Sequence, residues 1–267
     1  MLYAYSIVMS IVLAIFLGLV QGLAEFLPVS SSGHLILVQH IFEIPGNMMF
    51  FNIVLHIATL VAVLIVFRKR VWQLVRNPLS RENLKLNLCL LLATAITVGF
   101  VLLFNDFIER TFVARVLPIT FMITAIVLFA TSFVGNKKGE GVQGGGQVGY
   151  PSAVVVGLAQ GLAVIPGFSR SGFTISAGLI AGMKREKAAE FAFLMSIPII
   201  IAALVYEVVS HDLPSTIEWL PMSVAFVVAL LSGVFAIKFM LDVIKRVKLY
   251  WFSLYLIVIA IVAIIVV

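Results

Sequence analysis

The chain has 267 residues, 62% of them hydrophobic and 11% charged, and its 18 Lys and Arg against 12 Asp and Glu give a net charge of +6. A soluble domain carries about 45–50% apolar and about 25% charged residues. A chain of this size cannot hide so much apolar surface, so a soluble globule is excluded and lipid must be the solvent for most of the exterior. The single cysteine, Cys89, excludes an intrachain disulfide.

In chain order, the first apolar stretch, about 4–42, is interrupted near its middle by proline, glycine and a serine cluster. It has no basic residue ahead of its apolar core and runs straight into polar motif residues, so a cleaved signal peptide is not expected. Apolar stretches of spanning length follow at 49–67, 86–105 and 114–135. A linker at 136–150, with the Gly-rich run GEGVQGGGQVG, precedes a second interrupted stretch at 151–182. Three more spans are predicted at 188–209, 218–238 and 249–267. Pro118 and Pro198 read as kinks within spans.

Of the 18 basic residues, 15 lie in four inter-span segments: Arg68 to Lys85, Lys137 and Lys138, Lys184 to Lys187, and Lys238 to Lys248. The intervening loops at 106–115 and 210–218 hold Arg110 and Arg115 beside Asp106, Glu109, Asp212 and Glu218. The positive-inside rule then puts the basic loops in the cytoplasm and both termini outside. That assignment closes if each interrupted stretch enters and leaves on one face, 4–42 from outside and 151–182 from the cytoplasm. The positive excess thus reads as a topology determinant, with no nucleic-acid partner.

Residues 18–33, GLVQGLAEFLPVSSSG, and 157–172, GLAQGLAVIPGFSRSG, align without gaps at an offset of 139 with 9 identities in 16. Three spans separate the copies, an odd number, so the halves, about 1–135 and 151–267, have opposite orientations in one membrane domain covering 1–267. The expected fold is all-α, with six transmembrane helices and two re-entrant helix–break–helix elements. Irregular backbone is tolerated at membrane depth only where protein buries it or a polar cavity lines it. The two breaks should therefore meet, each offering a helix N-terminus with free N–H groups, an arrangement suited to phosphate.

Ionisable residues mark the same place. Glu25, His34 and Arg170 lie within or beside the repeats, and charge at membrane depth is costly enough to signal function. Gln21 and Glu25 are spaced i, i+4 and share a helix face. Arg170 stands where the first copy has Ser31, and a planar guanidinium suits a diphosphate. His56, mid-span and outside the motifs, is assigned a neutral, hydrogen-bonded packing role, and His40 and His211 interfacial or loop positions.

The segment QGLAEFLPVSSSGH at 21–34, with PGFSRSGFT at 166–174, resembles the undecaprenyl-diphosphatases of the bacitracin-resistance type. The resemblance implies hydrolysis of undecaprenyl diphosphate to undecaprenyl phosphate and inorganic phosphate in the bacterial cytoplasmic membrane, recycling the lipid carrier of cell-wall synthesis and conferring bacitracin resistance. It implies catalytic roles for Glu25, Ser31, His34 and Arg170, with Gln21, Ser30, Ser32, Gly33, Ser169, Ser171, Gly172 and Thr174 binding the substrate. Arg170 and the two turns hold the diphosphate. Glu25 acts as base towards Ser31 or a water, with Ser31 preferred, and His34 assists as acid or competes as nucleophile. The resemblance also admits a divalent cation, Mg²⁺ or Ca²⁺, at Glu25, with no organic cofactor and an active site open to the outer face. Many members have glutamate where this chain has Gln21 and threonine where it has Ser32, which removes one carboxylate from any metal site. Oligomerisation is left open. Two rivals stand beside this reading: a transporter moving a polyprenyl phosphate without cleaving it, and the acid-phosphatase family, whose downstream histidine has only His211 to fill it.

Overall fold

The computed structural model describes residues 10–44, 48–134, 146–210, 218–246 and 249–267. Lys137, Lys138, most of the Gly-rich linker, His211, Asp212 and Lys248 lie outside the described residues. The described residues are helical with no strand: α1 Ile11–Phe26, α2 Ser31–Ile41, α3 Met49–Val66, α4 Arg68–Arg76, α5 Arg81–Leu103, α6 Asn105–Glu109, α7 Leu117–Val134, α8 Tyr150–Leu162, α9 Arg170–Ile180, α10 Arg185–Ser210, α11 Trp219–Arg246 and α12 Tyr250–Val266. Four of these stretches are long and apolar enough to cross a membrane: Arg81–Leu103, Ala114–Phe133, Arg185–Tyr206 and Trp219–Lys245. α3 and α4 meet the same measure only when taken together, as a pair bent by 79°. The chain is an all-α integral membrane protein.

Both interrupted stretches are helix, break, helix. α1 ends at Phe26, just before the Leu27-Pro28 pair, since a residue preceding proline is pushed out of the helical region. The second break spans 163–169 and holds Pro166 and Gly167, whose φ of +86° only glycine adopts without strain. Serine caps restart the helices at equivalent repeat positions: Gly33 N–H donates to Ser30 Oγ at 3.2 Å, and Gly172 N–H to Ser169 Oγ at 3.1 Å.

Two expectations need correction. Pro118 is no kink: it is the second residue of α7, where its missing N–H and fixed φ fit the first turn. The segment after α3 is no loop: Arg68–Arg76 continues as a helix bent by 79° from Phe50–Val66, and α5 begins early, at Arg81, where Asn83 N–H donates to Ser80 Oγ at 3.4 Å. Arginine, lysine, glutamine and leucine are good helix formers, so a high charge density does not by itself make a loop. α10 runs on as one helix across Pro198.

Polarity runs opposite to that of a soluble protein. Leu91, Leu102, Ile126, Phe133, Leu231 and Ile264 are exposed on the outside, whereas Gln21, Glu25, Thr59, Thr97, Thr124 and Gln160 are buried. Without a hydrophobic drive between helices in lipid, close packing and hydrogen bonds must hold them, which favours small residues at the contacts. α1 rests on α11 in this way. A Cβ on Gly18 would stand 2.5 Å from the carbonyl oxygen of Ala225, and one on Gly22 would collide with Ser232 and the backbone of Ala229. α8 rests on α5 likewise, with a Gly157 Cβ falling 2.7 Å from the Ala93 carbonyl oxygen. Each glycine-bearing helix thus packs on a long helix from the other half of the chain.

Gly18→Ala should lower stability in detergent by about 1–3 kcal/mol through overpacking. Gly99→Ala, where a Cβ meets nothing within 4 Å, should be neutral or stabilising by less than about 1 kcal/mol. Thermal denaturation of the two proteins side by side checks the opposite signs, and equal midpoints would contradict the α1–α11 packing.

Candidate active site

The two breaks touch. Ser171 Oγ donates to the Leu27 carbonyl at 2.9 Å, from the start of α9 to the end of α1. A Cβ on Gly33 would lie 2.7 Å from the Phe121 ring and 2.8 Å from Gly167 Cα, so α2 reaches the second turn only because position 33 is glycine, while a Cβ on Gly167 would collide with Thr120 of α7. α7 braces the second break, with Ser169 N–H donating to Thr124 Oγ1 at 3.4 Å and Thr124 Oγ1 to the Gly167 carbonyl at 3.4 Å.

Glu25 lies where the breaks meet, its side chain only 3% exposed. Its Oε1 is ion-paired with the Arg170 guanidinium. Its Oε2 accepts from Ser31 Oγ at 2.5 Å and from Gln21 Nε2 at 3.1 Å. The other Gln21 amide hydrogen points at His56 Nδ1, 3.1 Å away, which is itself 3.8 Å from Glu25 Oε2. The reverse amide orientation would set an oxygen against the carboxylate, so this one is fixed by charge. Gln21 Oε1 is buried without a partner.

His34 forms a second cluster on the same turn. Its Nδ1 faces the Ser30 carbonyl at 2.7 Å and must therefore donate, which leaves Nε2 to accept from the Tyr255 hydroxyl at 2.8 Å. The Tyr255 ring stacks on the imidazole with centroids 5.7 Å apart, and Phe121 meets it edge-on. Ser30 holds the turn at φ +70°, a conformation rare outside glycine, which aims its carbonyl at His34 while its hydroxyl caps α2.

Of the residues expected at the site, the structure gathers Gln21, Glu25, Ser31 and Arg170 into one hydrogen-bonded group. Ser30, Gly33, Ser169, Ser171 and Gly172 form the two turns around it, and Ser32 is partly exposed beside them. Thr174 turns away: its hydroxyl donates to the Arg170 carbonyl at 2.7 Å along its own helix. His56 is hydrogen-bonded within the bundle as expected, but its partner is Gln21, so it also closes the polar group around Gln21 and Glu25. An imidazole inside an otherwise charge-free span was the available signal. Tyr255 and Thr124 left no such trace, since a tyrosine near a span end and a threonine within one are commonplace.

A hard cation takes six or more oxygen ligands, and among the described residues no three His, Cys, Asp or Glu side chains come together. Glu25 and the unpartnered Gln21 amide oxygen offer two donors, so the residues fit a cation only if a bound phosphate supplies further oxygens.

A buried carboxylate bonded to a hydroxyl and an arginine, beside the starts of two helices inside a membrane bundle, is the chemistry of a candidate active site in an integral membrane enzyme. The chain belongs to the bacitracin resistance protein BacA family, whose sequence model matches residues 14–262. It is 43% identical to the undecaprenyl-diphosphatase of Carboxydothermus hydrogenoformans over 247 residues, covering 91% of this chain and 92% of that protein. It is also 43% identical to the undecaprenyl-diphosphatase of Treponema denticola over 261 residues (93% and 94%), and 34% identical to that of Korarchaeum cryptofilum over 269 residues (95% and 98%).

Removing Arg170 strands a buried carboxylate, and neutralising Glu25 strands a guanidinium. Arg170→Ala and Glu25→Gln should each destabilise the protein, while the double variant should lose less than their sum by about 1–3 kcal/mol. A thermal-unfolding mutant cycle in detergent measures this coupling, and strict additivity would deny the pair.

Proposed function

We propose that this chain hydrolyses undecaprenyl diphosphate to undecaprenyl phosphate and inorganic phosphate, the activity named for its relatives. The observation that carries the mechanism is the Glu25 carboxylate bonded at once to the Ser31 hydroxyl and the Arg170 guanidinium, from opposite copies of the repeat. The diphosphate binds Arg170 and the N–H groups at the starts of α2 and α9. Arg170, drawn onto the phosphate, releases Glu25 to take the Ser31 proton. Ser31 Oγ then bonds to the terminal phosphorus as the bridging P–O bond breaks, and undecaprenyl phosphate leaves. Glu25 passes the Ser31 proton to the departing undecaprenyl phosphate; water then attacks the seryl phosphorus, and Glu25 takes the water's proton and returns it to Ser31 Oγ as the Oγ–P bond breaks, so inorganic phosphate leaves and the serine is restored.

Ser31 is favoured over His34 as nucleophile because it already holds the hydrogen bond to the base, whereas both His34 nitrogens are engaged, by Ser30 and Tyr255. His34 keeps Nδ1–H on the Ser30 carbonyl and Nε2 on the Tyr255 hydroxyl, so it steadies the turn that carries Ser31 and stands as the competing nucleophile. Gln21 orients Glu25 and ties it to His56. Glu25 and the Gln21 amide oxygen would hold a Mg²⁺ or Ca²⁺ ion carried in on the diphosphate, and such an ion would neutralise charge at the phosphoryl oxygens.

The same reading takes the fold as six spans and two re-entrant elements in inverted halves. It is supported by the exchange in which α1 packs on α11 and α8 on α5. Both termini and the site opening are assigned to the outer face. A cysteine placed at Ser32, with Cys89 replaced by serine, should react in whole cells with a membrane-impermeant maleimide; protection there with labelling of inverted vesicles would reverse the orientation.

Phosphate release from undecaprenyl diphosphate by pure protein should fall at least about 100-fold in Glu25→Gln, Ser31→Ala and Arg170→Ala, and chelator should lower it in the parent. Labelled substrate quenched in acid should leave phosphoserine on the parent. An acid-labile adduct would move the attack to His34, and no adduct would move it to water. A chain that releases no phosphate yet moves the lipid across a vesicle would be the transporter.

A further inference from the structure

α4 carries more than topology. An α3 that crosses the bilayer stands near its normal, so a helix bent 79° from it runs along the membrane surface. Its register is set by the protein. Leu74 is buried, and Arg70 turns inward, donating to Asn83 Oδ1 at 3.2 Å and pairing with Glu190 at 3.5 Å and Glu82 at 3.8 Å. Asn83 Nδ2 donates to the Gln73 and Asn77 carbonyls at 3.1 and 3.0 Å, and Asn87 Nδ2 to the Leu74 carbonyl at 3.3 Å. With that side pinned to α5 and α10, Trp72 is left 62% exposed, Val75 68%, and Leu79 just beyond the helix 80%. Lys69 and Arg76 stand three residues before and four after Trp72, flanking it on one side, and are exposed, as are Arg81 and Lys85. Between 68 and 85 there are six basic residues and one acidic, Glu82.

A rigidly held helix showing tryptophan and valine beside lysine and arginine matches a bilayer interface, which offers acyl chain at one depth and phosphate a few ångströms away. We propose that α4 is a docking platform for anionic phospholipid, distinct from the site at Glu25. Trp72, Val75 and Leu79 enter the boundary of the acyl chains, and Lys69, Arg76 and Arg81 hold the headgroup phosphates.

Trp219→Phe with Trp251→Phe leaves Trp72 as the sole tryptophan. In vesicles of brominated phosphatidylcholine and phosphatidylglycerol its fluorescence should be quenched more by bromines near the headgroup than by bromines at the bilayer centre. Phosphatidylglycerol should raise the melting midpoint of the detergent-solubilised parent above the rise given by phosphatidylcholine, and salt should remove the excess. The combined variant Lys69→Gln, Arg76→Gln, Arg81→Gln should keep its phosphate release and lose most of that excess. Trp72 emission that stays water-like and unquenched overturns the proposal, as a solvent-facing or protein-binding helix would give. An unchanged excess in the triple variant overturns it equally. Should that variant fail to fold, quenching no greater in phosphatidylglycerol vesicles than in phosphatidylcholine alone overturns it.

Discussion

Glu25 and Arg170 are opposite charges 145 residues apart in the chain, and each would be prohibitively costly alone within a membrane bundle. Their pairing makes each tolerable, and it does so only if the two helix breaks meet. Much else follows from that demand. The breaks need glycine at Gly33 to approach and at Gly167 to pass Thr120, Thr124 to receive the backbone of the second turn, and Ser171 to tie that turn to the Leu27 carbonyl at the end of α1. Irregular backbone in lipid has no water to turn to, so these partners are a structural necessity before they are anything catalytic.

The repeat shows how one local structure serves two purposes. Ser30 and Ser169 cap their helices in the same way, at matching positions. The preceding glutamines diverge. Gln21 holds Glu25 and His56, whereas Gln160, with Val164 in place of the glutamate, donates to Thr97 at 3.3 Å and helps tie α8 to α5. The one-residue difference between Ser31 and Arg170 supplies a hydroxyl from one copy and a cation from the other. A symmetric scaffold thus yields an asymmetric site, which attack on one end of a diphosphate requires.

The cost of this arrangement falls on the helix contacts. With apolar side chains turned to lipid, burial cannot hold the bundle together as it would in water, and close approach through Gly18, Gly22 and Gly157 takes its place. His34 shows the same economy: its ring is fixed by a backbone carbonyl whose direction depends on the unusual φ of Ser30, and by a tyrosine from the last helix.

Composition alone determined that the chain lives in lipid, because no small interior can absorb so much apolar surface, and hydropathy placed the helices, because a span needs a long apolar run. The repeat, its serines and glycines, and the rare charges at Glu25 and Arg170 marked where the two breaks meet, since lipid makes every polar group conspicuous. Only the tertiary structure decided that Ser31 lies on Glu25, that His56 bonds to Gln21 and Tyr255 to His34, and that Arg68–Arg76 is a helix held across the end of α3. Those facts depend on which faces of distant helices meet, and helix packing is set by shape and by hydrogen-bond direction, neither of which has a period or a composition to read.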